Sequence, residues 1–281
     1  MKGIRKFQLS SKNILFDIEL HRNVTVIRGD GATYKTMFCN MLRAAHVKGS
    51  GVHLRSYQAE VLCLTDQEFN ADNLVQYKNK DVILVFDESS SCIRTTAFRE
   101  AIESTGCYFI LITRNRCDCF GMSMKELYEF TYSDSVDLSK RVISMNPLYK
   151  SDCYGILSNQ SQVITEDSNA GKQFFNRAYG HEHVYTSHGK SNIPAAIKEY
   201  SDSIVVVDGA AFGFEVEDVL PLLSAYNCYL VAKESFEYVL LKSGILKNLV
   251  TINIDEPEVD SKKYLTWERF YTDYILSLIH I

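Results

Sequence analysis

The chain has 281 residues, enough for one large or two ordinary domains. Hydrophobic residues make up 46% and charged residues 23%, which is ordinary globular usage and excludes a disordered, collagen-like or disulfide-knot chain. Lysine and arginine number 30 against 35 acidic residues, so the net charge of −5 excludes a uniformly basic, nucleic-acid-coating protein but leaves room for a local basic groove.

In chain order, apolar strands are predicted at 23–27, 60–64, 82–86 and 108–113, with helices at 35–45 and 93–103. The runs near 82 and 108 are continuously apolar, the pattern of central parallel strands covered on both faces. Between 133 and 160 the chain is rich in Ser, Asp, Asn and Tyr, carries Pro147 and Gly155, and shows no helical period, so a domain boundary is placed there. Alternation then resumes, with strands at 162–165, 183–186, 204–207, 227–232 and 248–253 and helices at 170–179, 193–200, 215–226, 234–242 and 266–278. The expected fold is α/β in two different modules, residues 1–145 and 158–281.

No apolar run approaches the roughly 18 to 20 residues that a membrane helix needs. The basic start of the chain runs into Ser10, Ser11 and Lys12 instead of an apolar stretch, so no secretory signal is visible. A cytoplasmic protein without a membrane partner is expected. Eight cysteines, none in a CxxC pair and several inside apolar runs, read as reduced and mostly buried thiols.

The first chemical signal is the segment Val24-Thr25-Val26-Ile27-Arg28-Gly29-Asp30-Gly31-Ala32-Thr33-Tyr34-Lys35-Thr36, which runs from an apolar strand through small residues into a helix. Such a loop aims backbone N–H groups and a helix N-terminus at phosphate, sets a lysine on the outer phosphates and a hydroxyl on Mg²⁺. Lys35 and Thr36 are that lysine and hydroxyl. Gly29, Lys35 and Thr36 match the pattern GxxxxGK[ST], while Tyr34 stands where the second glycine belongs. The second signal is Asp81-Val82-Ile83-Leu84-Val85-Phe86-Asp87-Glu88, an apolar strand ending in two carboxylates.

Together these resemble the P-loop NTPases of the compact ATPase sort, over roughly residues 1 to 130. The resemblance implies a parallel sheet that binds ATP with Mg²⁺, with residues 29 to 36 on the nucleotide, Thr36 and Asp87 on the metal, and Glu88 polarising the attacking water. Phe109 to Asn115 is a further buried strand ending in polar residues, where such ATPases place a γ-phosphate sensor, so Thr113, Arg114 and Asn115 are sensor candidates.

In the second half, the strand Val163-Ile164-Thr165 ends at Glu166, and Ile204-Val205-Val206-Val207 ends at Asp208. Parallel strands of one sheet would set these acids side by side at the carboxyl edge, where they could converge on one Mg²⁺. The order glutamate, glycine-containing turn at His188-Gly189-Lys190, then aspartate resembles the TOPRIM (topoisomerase-primase) domain over about residues 160 to 260. That resemblance implies a flavodoxin-like module with Glu166 as general acid or base in phosphodiester chemistry and Asp208 on Mg²⁺. The second aspartate of the family's Asp-x-Asp pair is Ala210 here, with Glu215, Glu217 and Asp218 as candidate substitutes.

A P-loop ATPase joined to a TOPRIM-like module resembles the overcoming-lysogenisation-defect class of nucleases, which implies DNA or RNA as a partner. Candidate phosphate contacts are Arg114, Arg116, Lys125, Lys140, Arg141, Lys172, Lys190 and Lys198, thinly spread along the chain. Walker-type ATPases often place catalytic groups across a subunit interface, so the resemblance also makes a homo-oligomer a candidate. His181 and His183 read as a solvated loop, and Cys117 and Cys119 lack a second pair at zinc-site spacing. Tyr34 and Ala210 keep a rival open: a nucleotide-sensing or scaffold protein with both sites inactive.

Overall fold

The computed structural model describes residues 3–29, 34–69, 77, 80–116, 121–135, 140–166, 170–244 and 267–279. They form an α/β protein of two compact units, one holding the described residues up to 116 and 126–149, the other 121–125, 150–244 and 267–279.

The first unit is built on strands β1 (Arg5–Ser10), β2 (Ile14–Leu20), β3 (Val24–Arg28), β4 (His53–Ser56), β5 (Glu60–Leu64), β6 (Val82–Phe86), β7 (Tyr108–Ile112), β8 (Leu127–Ser135) and β9 (Lys140–Pro147). One sheet takes all of them in the order β4-β1-β2-β9-β8-β3-β7-β6-β5. Every residue of β6 and of β7 is buried, as their unbroken apolar runs require of strands covered on both faces.

The expected parallel sheet is therefore only one part of a mixed sheet. From β8 through β3, β7 and β6 to β5 the pairing is parallel, as is β2 with β9, whereas β4 with β1, β1 with β2, and β8 with β9 are antiparallel. The stretch taken for a boundary holds most of the β8–β9 hairpin, and β9 runs past residue 145 to Pro147. β8 buries Phe130 but carries exposed Tyr132 and Ser133 farther along, and such one-sided strands look like loop by composition.

Helix α1 (Lys35–Ala45) buries Lys35, Phe38, Cys39 and Leu42, the i, i+3, i+4, i+7 stripe of a helix lying on a sheet. Phe38 packs 5.1 Å from Phe16 and 5.3 Å from Phe130, which ties α1 to the mixed half of the sheet. The helix expected at 93–103 is α2 (Thr96–Ser104), preceded by a 3₁₀ turn at Cys92–Arg94.

The second unit holds strands β10 (Cys153–Gly155), β11 (Gln162–Thr165), β12 (Val184–Thr186), β13 (Ser203–Val206) and β14 (Tyr229–Val231), in the order β10-β14-β13-β11-β12. All neighbours are parallel except β10 with β14. The chain steps from β11 outward to β12 and then back to the other side at β13, so the strand order reverses between β11 and β13, the place where open α/β sheets form a crevice at their carboxyl edge. Helices α3 (Ala170–Tyr179), α4 (Ile193–Glu199), the short α5 (Gly209–Phe212), α6 (Val216–Ala225), α7 (Phe236–Lys242) and α8 (Trp267–Ile279) complete it. The strand expected at 248–253 lies outside the described residues. Among the described residues no helix is long and apolar enough to cross a membrane.

Candidate functional site

Strand β3 delivers the chain to Gly29, and α1 begins at Lys35. Asp30, Gly31, Ala32 and Thr33 lie outside the described residues. Both ends of the segment adopt backbone conformations that favour glycine: Gly29 has φ 140° and Tyr34 has φ 62°, ψ −5°. A left-handed conformation costs a non-glycine residue about 1–2 kcal/mol. Tyr34 holds that conformation without being a glycine, and its side chain is anchored on β8 and β9. The ring meets Tyr132 edge-on at 6.0 Å, and its hydroxyl accepts a hydrogen bond from Arg141 at 3.1 Å.

Lys35 is only 5% exposed, and its Nζ donates to the carbonyl of Gly29, so the two ends of the loop are drawn together by the lysine. Thr36 follows on an exposed position of the first turn. The ammonium therefore sits at the base of the strand-to-helix connection, not in bulk solvent.

β7 lies between β3 and β6 and runs parallel to both, which brings the end of β3, the acidic end of β6 and the polar end of β7 to one edge of the sheet. Each acid at the end of β6 is held by an arginine. Asp87 pairs with Arg43 of α1 at 2.6 Å and accepts hydrogen bonds from the Ser89 amide at 3.0 Å and the Ser89 hydroxyl. Burial works against ionisation of Asp87, but the Arg43 and Ser89 contacts outweigh it and hold the carboxyl below its ordinary range. Glu88 pairs with Arg114 at 2.9 Å, and the Arg114 carbonyl accepts from Arg28 at 3.1 Å, fastening the ends of β3 and β7 together.

Of the sensor candidates, only Arg114 reaches an acid. Thr113 is 3% exposed and its hydroxyl is engaged in a local turn, donating to the Asn115 carbonyl at 2.8 Å and accepting from the Asn115 amide at 3.1 Å. Below Glu88 the chain is pinned by Asp66, whose carboxylate accepts from the Ser91 hydroxyl, the Ser91 amide and the Cys92 amide at 2.7, 2.8 and 3.1 Å. The Ser91 contacts lead in lowering the Asp66 pKa to about 2. Arg43 and Tyr132 are not among the residues expected from the sequence, and Arg141 is expected only as a nucleic-acid phosphate contact. The signal for Arg43 was its spacing, since Lys35, Cys39 and Arg43 follow one another at i, i+4 and i+8 along one helix face.

In the second unit, Glu166 and Asp208 do come together at the reversal point between β11 and β13. The Asp208 amide donates to the Glu166 carboxylate at 3.3 Å, and the Asp208 carboxylate accepts from the Phe236 amide at 3.1 Å. Gly209 is required here, because a Cβ would lie 2.4 Å from the Ala232 carbonyl oxygen. Among the candidate substitutes for the missing aspartate, Glu215 is ion-paired with Lys190 at 3.3 Å, and Lys190 also donates to the Ala211 carbonyl at 2.8 Å. Among the described residues no group of three or more His, Cys, Asp or Glu side chains is placed to hold a metal ion.

Lys190 is thus an internal counterion in the structure, and Lys125 likewise pairs with Asp152 at 2.7 Å. Arg116, Lys140, Lys172 and Lys198 lie on four separate segments. His183 closes a 3₁₀ turn ahead of β12 and is exposed. Cys117 and Cys119 lie outside the described residues. Comparison with protein-family models, with curated proteins and with solved structures finds no match to this chain.

Proposed function

We propose that the chain is an ATP-binding P-loop protein, with Mg²⁺-dependent ATPase chemistry in its first unit and a TOPRIM-like module in its second that binds or acts on nucleic acid. The observation that carries this reading is Lys35, buried in the first turn of α1 with its ammonium turned back onto Gly29 across a connection whose left-handed residue is Tyr34. The Gly29 carbonyl already receives the buried ammonium, and phosphate oxygens are stronger acceptors of the same donor beside a helix N-terminus.

In this reading Lys35 and the loop amides hold phosphate. Thr36 and Asp87 are hard oxygen donors that suit Mg²⁺, which when bound would neutralise charge on the phosphate oxygens. Asp87 would hold the metal in place of its Arg43 partner, and Glu88, now paired with Arg114, would orient water. In the second unit Glu166 serves as acid or base beside Asp208.

A second reading, a nucleotide sensor without turnover, is favoured by one specific feature: both acids of the β6 end are already neutralised by arginines. Thermal unfolding tests nucleotide binding in either case. ATP with Mg²⁺ should raise the melting temperature of the wild type and not that of Lys35→Ala, because a ligand bound only by the folded state stabilises it. Phosphate release from the same samples separates ATPase from sensor. An unchanged melting temperature in the wild type would remove the nucleotide assignment.

A further inference from the structure

We infer that Tyr132 and Arg141, together with Tyr34, form a stacking platform for the base of the bound nucleotide, an inference that rests on reading the Gly29–Lys35 connection as the phosphate site. Tyr132 lies on β8 opposite Ile143 of β9, and Arg141 lies two residues along β9, so the two side chains are diagonal neighbours on one face of the hairpin. The Arg141 guanidinium sits 4.8 Å from the centre of the Tyr132 ring. Tyr34 meets the same ring edge-on and accepts a hydrogen bond from the same arginine.

Two features turn this cluster toward a ligand. The first is exposure: Tyr132 is 57% exposed, so much of a large apolar ring is held in place outside the core. Anchoring the left-handed Tyr34 does not account for that open surface. The second is position: Tyr34, the member of the cluster on the connection itself, is the residue immediately before Lys35. A ligand that fits has a polyanionic tail joined to a planar aromatic ring, which is the chemistry of a nucleoside triphosphate. A phenol and a guanidinium stack on any base, because every base has a π-face. The platform therefore takes nucleotides with little preference among bases.

The test is calorimetric titration of the full chain, with Mg²⁺ present, using ATP, CTP and inorganic tripolyphosphate as probes. Wild type should bind ATP and CTP alike and tripolyphosphate more weakly. Tyr132→Ala should weaken ATP about tenfold, the worth of one base stack, while leaving tripolyphosphate unchanged, and Tyr132→Trp should retain ATP affinity. The inference is overturned if Tyr132→Ala leaves ATP binding intact, or if it weakens ATP and tripolyphosphate equally, since the ring then acts only by shaping the loop. It is also overturned if Tyr132→Ala weakens a single-stranded oligonucleotide and not ATP, which would make the platform a nucleic-acid surface. If wild type binds neither ATP nor tripolyphosphate, or Lys35→Ala binds both as wild type does, the phosphate-site reading itself fails and the platform falls with it.

Discussion

Arg43 of α1 and Asp87 at the end of β6 form an ion pair of 2.6 Å across 44 residues of chain. The pair places a guanidinium on the carboxylate that Mg²⁺ would use in the proposed site, where the metal and Arg43 would compete. Arg43→Gln should lower the Mg²⁺ concentration that half-saturates ATP binding by about fivefold, the worth of a partly exposed pair of roughly 1 kcal/mol. Titration of Mg²⁺ at fixed ATP reads this directly, and an unchanged or higher requirement would show that Asp87 is not the metal's ligand.

Tyr34 holds φ 62°, a conformation that glycine adopts freely and other residues do not. Tyr34→Gly and Tyr34→Ala both remove the ring from Tyr132 and Arg141, but only alanine keeps the backbone strain. The glycine variant should be more stable than the alanine variant by about 1 kcal/mol. Urea unfolding of the two proteins measures the difference, and equal stabilities would contradict the left-handed assignment.

Asp66 has its pKa lowered to about 2 from an ordinary value of 3.8 by its bonds to Ser91 and Cys92. A carboxyl whose pKa is lower in the folded state binds its proton less readily there than in the unfolded chain, so its contribution is present in full above about pH 4 and is lost as pH falls from there through 2. Asp66→Asn should flatten the acid limb of stability in that window and leave the neutral region with a small, pH-independent loss. Unfolding midpoints from pH 2 to 7, compared with wild type, check this; an identical acid limb in both proteins would rule out Asp66 as its source.

Glu166 accepts from the Asp208 amide at the reversal point of the second sheet. Glu166→Gln preserves size and hydrogen bonding while removing the charge, so any Mg²⁺-dependent cleavage of DNA or RNA should vanish while ATP binding persists. Gel assays on both substrates with and without EDTA provide the measurement. Cleavage surviving in the variant would take Glu166 out of the mechanism.

What local sequence could show depended on how each strand is covered. β6 and β7 are buried on both faces, so Val82–Phe86 and Tyr108–Ile112 announce themselves as unbroken apolar runs. β1 and β2 are legible only by alternation, as in Phe7 and Leu9 against Lys6 and Gln8, and they are absent from the strands expected from apolar runs. The meeting of Glu166 and Asp208 follows from parallel strands that each end in an acid. Arg43–Asp87, Arg114–Glu88 and the Tyr34–Tyr132–Arg141 cluster do not follow from any local pattern, because each joins segments whose pairing is set by the sheet order. Tyr34 marks the limit most clearly: its residue type gives no sign of the left-handed backbone that it adopts.

The central claim is that Lys35 holds the phosphates of a nucleotide, and isothermal titration of wild type and Lys35→Ala with ATP and Mg²⁺ tests it most directly. Wild type should give a saturable binding isotherm and Lys35→Ala none, with both proteins folded by circular dichroism. Equal ATP affinity in the two proteins, or no binding by a folded wild type, would contradict it.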